Sequence, residues 1–148
     1  KVKHIAPFVH LIHSVDSRGL LEEINKQATK VNRKIACLLQ IHIAEEESKF
    51  GFSEAEALEL LASDVVKKLD RVSIVGLMGM ATFTSDEDQV RKEFKGLKKL
   101  FEKLKAGPLP ANVAMTELSM GMSGDYQVAI EEGSTMIRVG SAIFGERA

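Results

Sequence analysis

Ser123, Arg138, Gly140 and Ser141 are the residues of this chain whose types and spacing carry chemistry. All four lie within residues 118–145, LSMGMSGDYQVAIEEGSTMIRVGSAIFG, where two small-residue turns flank a short helical segment. Ser123 follows an apolar run and precedes Gly124 and Asp125, the place of a serine that caps a helix carrying Val128, Ala129 and Ile130 and ending at Gly133. A helix start leaves backbone N–H groups unpaired and bears partial positive charge, which suits a phosphate. Glycines at 121 and 124 let the backbone come close to such a group. Residues 136–144 read as an apolar, β-branched strand in which Gly140 and Ser141 offer a second set of N–H donors and a hydroxyl. Arg138 stands inside that strand, and a buried arginine calls for a carboxylate or a ligand acceptor. The stretch therefore reads as a phosphate cup beside a site for an aromatic ring. Strand-end Gly-Ser turns and a structural ion pair explain the same residues equally well on local chemistry alone.

These residues must be positioned by elements of two alternating periodicities. Residues 8–15 (FVHLIHSV) read as a strand, and Asp16 or Ser17 caps a helix whose apolar positions are Leu20, Ile24, Ala28 and Val31. Residues 35–44 are almost continuously apolar, as in a parallel strand covered on both faces. Ser53 and Glu56 form a capping-box pair before a helix with the stripe Leu58, Leu61, Val65 and Leu69. A third strand spans 72–82. The helix starting near Ser85 carries Val90, Phe94, Leu97, Phe101 and Leu104 on one face and ends at Gly107, Pro108 and Pro110. Two further strands lie within 116–122 and 136–144. Such alternation predicts an α/β fold with parallel strands, either an open doubly wound sheet or part of a (β/α)8 barrel. Polar and small residues gather after the strands, at His13, Ser14 and Asp16, at 45–49, at 82–85, at Ser123, and at Gly140 and Ser141. That placement favours a barrel, whose phosphate sites follow its last two strands. Neither G-x-G-x-x-G nor the Walker pattern is present.

Composition narrows the function classes. The chain has 148 residues, 45% hydrophobic and 28% charged, within the range of a globular domain with one core. Twenty basic and 21 acidic side chains leave no electrostatic footprint for nucleic acid. The lone Cys37 excludes an internal disulfide and favours a reducing, cytoplasmic compartment. No apolar run approaches the roughly 18 residues of a membrane span. His42 with Glu45, Glu46 and Glu47 has the residue types of a metal site, but alternation and loop position scatter them, so no metal is expected. His10 and His13 near Asp16 have the types for acid–base work, although strand-end histidines are more often structural hydrogen-bonders. No nucleophile triad is visible.

The segments HSVDS (13–17), LLQIHIAEEESKFG (38–51), RVSIVGLMGMATFT (71–84) and 118–147 resemble the pyridoxal phosphate homeostasis proteins, the YggS/PROSC family. The likeness runs through essentially the whole chain. It implies a barrel like that of alanine racemase, and a binder of pyridoxal 5′-phosphate (PLP) that carries or buffers the cofactor without catalysing a reaction. Carried over by residue, it puts Ser123, Gly140 and Ser141 on the phosphate and Arg138 against the pyridine nitrogen; Met80 and Ala81, at the end of the third strand, are placed to face the ring, with a core role the commoner one for a methionine. A guanidinium only donates, so it requires that nitrogen to be an unprotonated acceptor, which makes the ring a poor electron sink. The family's Schiff-base lysine lies at the end of its first strand, and this chain begins beyond it. The expectation is thus a single partial barrel over 1–148 that lacks the first three strands and holds PLP non-covalently or not at all. Phosphate or sulfate would serve as a weaker ligand. Lys49 reads as a solvated surface lysine, and open sheet edges as a route to self-association. The alternatives are a PLP-dependent amino-acid racemase of the same barrel type, or another phosphate-site barrel enzyme.

Overall fold

The computed structural model describes residues 1–46 and 50–145. Its elements run in the order α1 (Val2–Ile5), β1 (Leu11–Val15), α2 (Arg18–Lys30), β2 (Ile35–Gln40), α3 (Glu54–Ala62), α4 (Asp64–Lys67), β3 (Val72–Gly79), α5 (Glu87–Ala106), β4 (Val113–Met122), α6 (Tyr126–Glu131), β5 (Met136–Arg138) and α7 (Ser141–Phe144). The strands form one sheet in the order β1-β2-β3-β4-β5, every pair parallel. This sequential order decides between the two architectures. A doubly wound sheet reverses its winding from the first strand, whereas a β/α barrel adds each strand beside the last. The fold is a five-stranded arc of a β/α barrel.

Each helix forms for reasons legible in its residues. Ser17 Oγ accepts the Leu20 N–H at 3.1 Å and opens α2. At α3 the full capping box is present, with Glu56 N–H donating to Ser53 Oγ at 3.1 Å and Ser53 N–H donating to Glu56 Oε1 at 2.8 Å. Asp86, one residue past the expected start, caps α5 by accepting the Gln89 N–H. The α5 stripe of Val90, Phe94, Leu97, Leu100, Phe101 and Leu104 is buried against the sheet, and Phe94 is fully enclosed.

The strands expected over 8–15, 35–44 and 72–82 are shorter, Leu11–Val15, Ile35–Gln40 and Val72–Gly79, and two elements differ in kind. The stripe through Leu58, Leu61, Val65 and Leu69 does not run as one helix, because Ser63 adopts extended backbone and separates α3 from α4. The break shifts the buried set to Ala57, Leu60, Leu61, Val66 and Leu69. The expected strand 136–144 is a strand only at Met136–Arg138, and Ser141–Phe144 forms a helical turn. Apolar composition alone does not extend a strand. Ile143 and Phe144 are 66% and 85% exposed, so nothing holds them against the sheet.

The core lies between the sheet and its helices, built from Ile35, Cys37, Leu39, Ile74, Leu77, Leu118 and Met120 with the helix stripes. Leu38 and Met78 are buried but outside that cluster, so strand alternation puts them on the opposite, concave face. Gly76 is required where β3 meets β4, since a Cβ there would come within 1.8 Å of the Glu117 carbonyl oxygen. Among the described residues, no helix is long and apolar enough to cross a membrane.

Candidate functional site

The site is built where β4 and β5 end. Gly121, at φ +108°, bends β4 just before Met122 in a conformation that disfavours side chains, and a Cβ there would meet Ala129 Cβ at 2.7 Å. The bend lets α6 pack directly on the strand. The turn that follows is closed by Asp125, whose Oδ1 accepts the Met122 N–H at 2.8 Å. Asp125 is also the residue that precedes α6, so the expectation that Ser123 caps this helix is corrected. The freed Ser123 turns toward the neighbouring strand end. Its Oγ accepts the backbone N–H groups of Gly140 at 3.1 Å and Ala142 at 3.0 Å.

Those two bonds define the chemistry of the cup. A hydroxyl oxygen has two lone pairs and one proton. With both lone pairs occupied, the Ser123 proton is left to donate, which suits an anionic oxygen. Gly140 and Ser141 are exposed beside it.

Strand β5 is short but firmly attached. Thr135 Oγ1 accepts the Leu118 N–H at 2.7 Å, and Ser134 Oγ lies 2.7 Å from the Met120 carbonyl and 2.6 Å from that of Met136. The register pairs Arg138 with Met122, the residue before Ser123. Arg138 is half-buried, and its Nε donates to Ser119 Oγ at 3.2 Å while Nη2 donates to the Gly79 carbonyl at 2.9 Å. No carboxylate forms an ion pair with it among the described residues. Among the described residues this arginine is held by a hydroxyl and a carbonyl, not by the structural ion pair weighed from the sequence. Burial pushes its pKa down from the ordinary guanidinium value, and the Asp125 charge opposes that shift. Nη1 has no hydrogen-bond partner among the described residues.

The third side of the site is the turn after β3. Thr82 donates its N–H and hydroxyl to the Glu93 carboxylate at 2.6 and 2.7 Å, while its Oγ1 accepts the Glu45 N–H at 2.8 Å. Phe83 N–H donates to Glu46 Oε1 at 2.8 Å. These bonds fasten the turn to α5 and to the β2–α3 loop, leaving the Phe83 ring 94% exposed.

Together these elements enclose a cavity of about 580 Å³ whose lining includes Ala81, Ser123, Asp125, Arg138, Gly140 and Ser141. Four of the five residues singled out for cofactor binding are thus gathered in one cavity. Met80, half-buried directly after β3, is not among its lining residues. A smaller concavity of about 330 Å³ between the β2–α3 loop and α5 carries Glu45, Glu54 and Glu93 with Lys92, a mixed-charge surface lacking the convergent donors of the cup. Among the described residues no group of His, Cys, Asp and Glu is arranged for a metal. Glu47 and Lys49 lie outside the described residues.

Residues 2–148 match the model of the alanine racemase N-terminal domain. The chain belongs to this family. A family member named pyridoxal phosphate homeostasis protein, from Aquifex aeolicus, is 39% identical over 147 residues, covering 99% of this chain and 62% of that protein. PipY of Synechococcus elongatus, 31% identical, superposes with a TM-score of 0.87 in its structure without PLP and 0.82 with PLP bound, covering 98% of this chain and 66% and 65% of PipY. The fold alone is shared with alanine racemase of Clostridium difficile, at a TM-score of 0.70 and 19% identity over 99% of this chain and 35% of that one. The chain spans about three-fifths of the length of the curated relatives it matches.

Several site residues were not singled out from sequence. Ser119 is fully buried and holds Arg138, Asp125 shapes the turn, and the Gly79 carbonyl receives the guanidinium. A serine within the apolar run 118–122 was a visible signal for the first. A backbone carbonyl leaves no trace in sequence.

Proposed function

We propose that this chain binds pyridoxal 5′-phosphate at the β4–β5 end of the arc and holds the cofactor without turning it over. The observation that carries the reading is the Ser123 hydroxyl, whose lone pairs are used by Gly140 and Ala142 so that its proton is left to donate. Beside it stands a half-buried Arg138 whose Nη1 has no partner among the described residues. The fit to PLP is chemical as well as spatial. The cavity, about 580 Å³, falls within the size range of small-molecule sites. Its donors sit at two places, a hydroxyl with a backbone N–H for a phosphate and a guanidinium for a ring acceptor. The name of the Aquifex relative and the PLP-bound PipY structure point the same way.

In this reading the Ser123 hydroxyl and the Ser141 N–H hold the phosphate, while Gly140, whose N–H is taken by Ser123, leaves room for it beside them. Arg138 donates to the pyridine nitrogen and keeps it unprotonated, since a guanidinium does not accept. PLP supplies an aldehyde and an electron-withdrawing ring, and an unprotonated ring nitrogen weakens the second property. The residues that line the cavity therefore bind and orient the cofactor. The homeostasis role named for the relatives follows as storage and delivery of the cofactor in the cytoplasm.

The test is an absorbance titration of the protein with PLP, alone and against excess inorganic phosphate, followed by incubation with alanine. Saturable binding that phosphate competes away, with no racemisation, is the expected result. Absence of binding sinks the proposal, and steady racemisation replaces it with the racemase.

We also propose self-association through the sheet edges. Among the described residues the outer side of β1 and of β5 has no strand partner, and Ile137, Ile143 and Phe144 are exposed near β5. Sedimentation that yields only monomer across the accessible concentration range removes this proposal.

A further inference from the structure

Phe83 stands on the turn that follows β3, the central strand of the sheet. Its ring is almost wholly exposed, yet the backbone beneath it is fastened. The Phe83 N–H donates to Glu46 Oε1, and Thr82 before it is bonded to the Glu93 carboxylate and to the Glu45 N–H. Phe83 also lines the same cavity as Ser123, Arg138 and Ser141. A phenylalanine held in water on a fixed turn forgoes the burial that ordinarily draws such a ring inside a protein. Pairing of sheet edges does not account for it, because β3 has a strand on either side. Among the described residues Phe8 and Phe50 are also largely exposed, but neither lines this cavity.

Arg138 connects this turn to the rest of the site. The arginine stands on β5, but its side chain crosses β4, where Nε donates to Ser119 Oγ, and reaches β3, where Nη2 donates to the Gly79 carbonyl. Gly79 is the last residue of β3 and lies four positions before Phe83. The guanidinium is thus held at the strand end from which the Phe83 turn departs. Ser123 and Ser141, on the turns after β4 and β5, form the phosphate cup. A flat ring held at its nitrogen by Arg138 and through its phosphate arm by Ser123 still turns about the line joining those two points. A third contact, on a face of the ring, is needed to stop that rotation.

We infer that Phe83 is a ligand-contacting residue, packing on a face of the bound pyridine ring and setting the preference of the site for an aromatic phosphate ester over bare phosphate. The inference rests on the PLP reading above. Contact between two aromatic rings adds a geometric preference to the gain from burying their faces. The bonds that fasten the turn leave less freedom to be lost when the ligand arrives. Inorganic phosphate fills the Ser123 cup but has no ring for Phe83 to cover, and it supplies the control.

The experiment is calorimetric titration of the unaltered protein and of Phe83→Ala with PLP and with inorganic phosphate, joined to proton NMR of the PLP-saturated protein with the Phe83 ring assigned through bonds. Phe83→Ala is expected to lower PLP affinity about tenfold and to leave phosphate affinity unchanged. A through-space contact between PLP protons and the Phe83 ring is expected in the unaltered protein. Equal PLP affinity in the two proteins, equal loss for both ligands, or absence of that contact at saturation overturns the inference and leaves the PLP reading standing. Failure of the unaltered protein to bind PLP overturns both. Removing so exposed a ring opens no cavity in the core. Should Phe83→Ala nevertheless not fold, the through-space contact in the unaltered protein is decisive by itself.

Discussion

The Ser123 hydroxyl accepts the Gly140 N–H at 3.1 Å and so ties the turn after β4 to the turn after β5. The two turns are 17 residues apart in sequence. Their contact turns two ordinary strand ends into a single donor-lined cup. Removing the hydroxyl takes away a donor and leaves the Gly140 and Ala142 N–H groups without this acceptor. Ser123→Ala is expected to weaken PLP and inorganic phosphate alike, by about tenfold or more, as for a hydrogen bond to a charged group. Calorimetric titration of both ligands checks it, and unchanged affinity for both removes Ser123 from the site.

Arg138 is expected to act on the ring and not on the phosphate. Arg138→Gln should therefore weaken PLP by about tenfold or more while altering inorganic phosphate affinity much less. Equal loss for both ligands would instead mean that the guanidinium contributes through general positive charge.

Burial pushes the Cys37 thiol up to about 12, and the thiolate is the reactive form. Cys37 is fully enclosed in the helix-side core. It is expected to resist thiol reagents in the folded protein and to react at the rate of an ordinary cysteine once denaturant is added. Rapid labelling under native conditions would show that β2 opens locally.

The histidine on β1 predicts a pH dependence whose sign follows from its shift. Burial first and the Arg138 charge second lower the His13 pKa below its ordinary 6.5 in the folded state. Between the folded value and about 6.5 the unfolded chain binds a proton that the folded chain does not. The contribution of neutral His13 is thus complete above about pH 6.5 and is lost as pH falls through the window below it. Denaturant midpoints measured from pH 7 to pH 5 should fall less in His13→Gln than in the unaltered protein. Parallel curves would show that His13 is not the group responsible.

Two core substitutions test the packing. Phe94→Ala removes a fully enclosed ring from α5 and is expected to cost about 3–5 kcal/mol. Gly76→Ala is expected to cost about 3 kcal/mol or more, because its Cβ would strike a backbone carbonyl that cannot rotate away as a side chain can. Denaturant unfolding of each variant is the measurement, and a neutral Gly76→Ala would show that β3 and β4 separate freely.

Much of this protein is determined by its sequence alone. The period-2 and period-3.6 runs specify five strands and the helices between them, because burial of one stripe or face is a local property of residue order. The capping box at Ser53 and Glu56 and the stripe from Val90 to Leu104 are as expected. The stretch 118–145 also announces a cup, since small residues, a hydroxyl and a cation have few reasons to recur around strand ends. Tertiary structure decided what local pattern leaves open. Sequential strand order, which separates a barrel arc from a doubly wound sheet, is a relation between strands and not within them. The helical turn at Ser141–Phe144 replaced an expected strand because Ile143 and Phe144 have no packing partner to hold them extended. Ser123 left its expected helix cap because Asp125 closes the turn and Gly140 and Ala142 bring their N–H groups within reach. Residues 17 positions apart meet here only because the strands that carry them pair, and residue order within one strand carries no sign of that meeting.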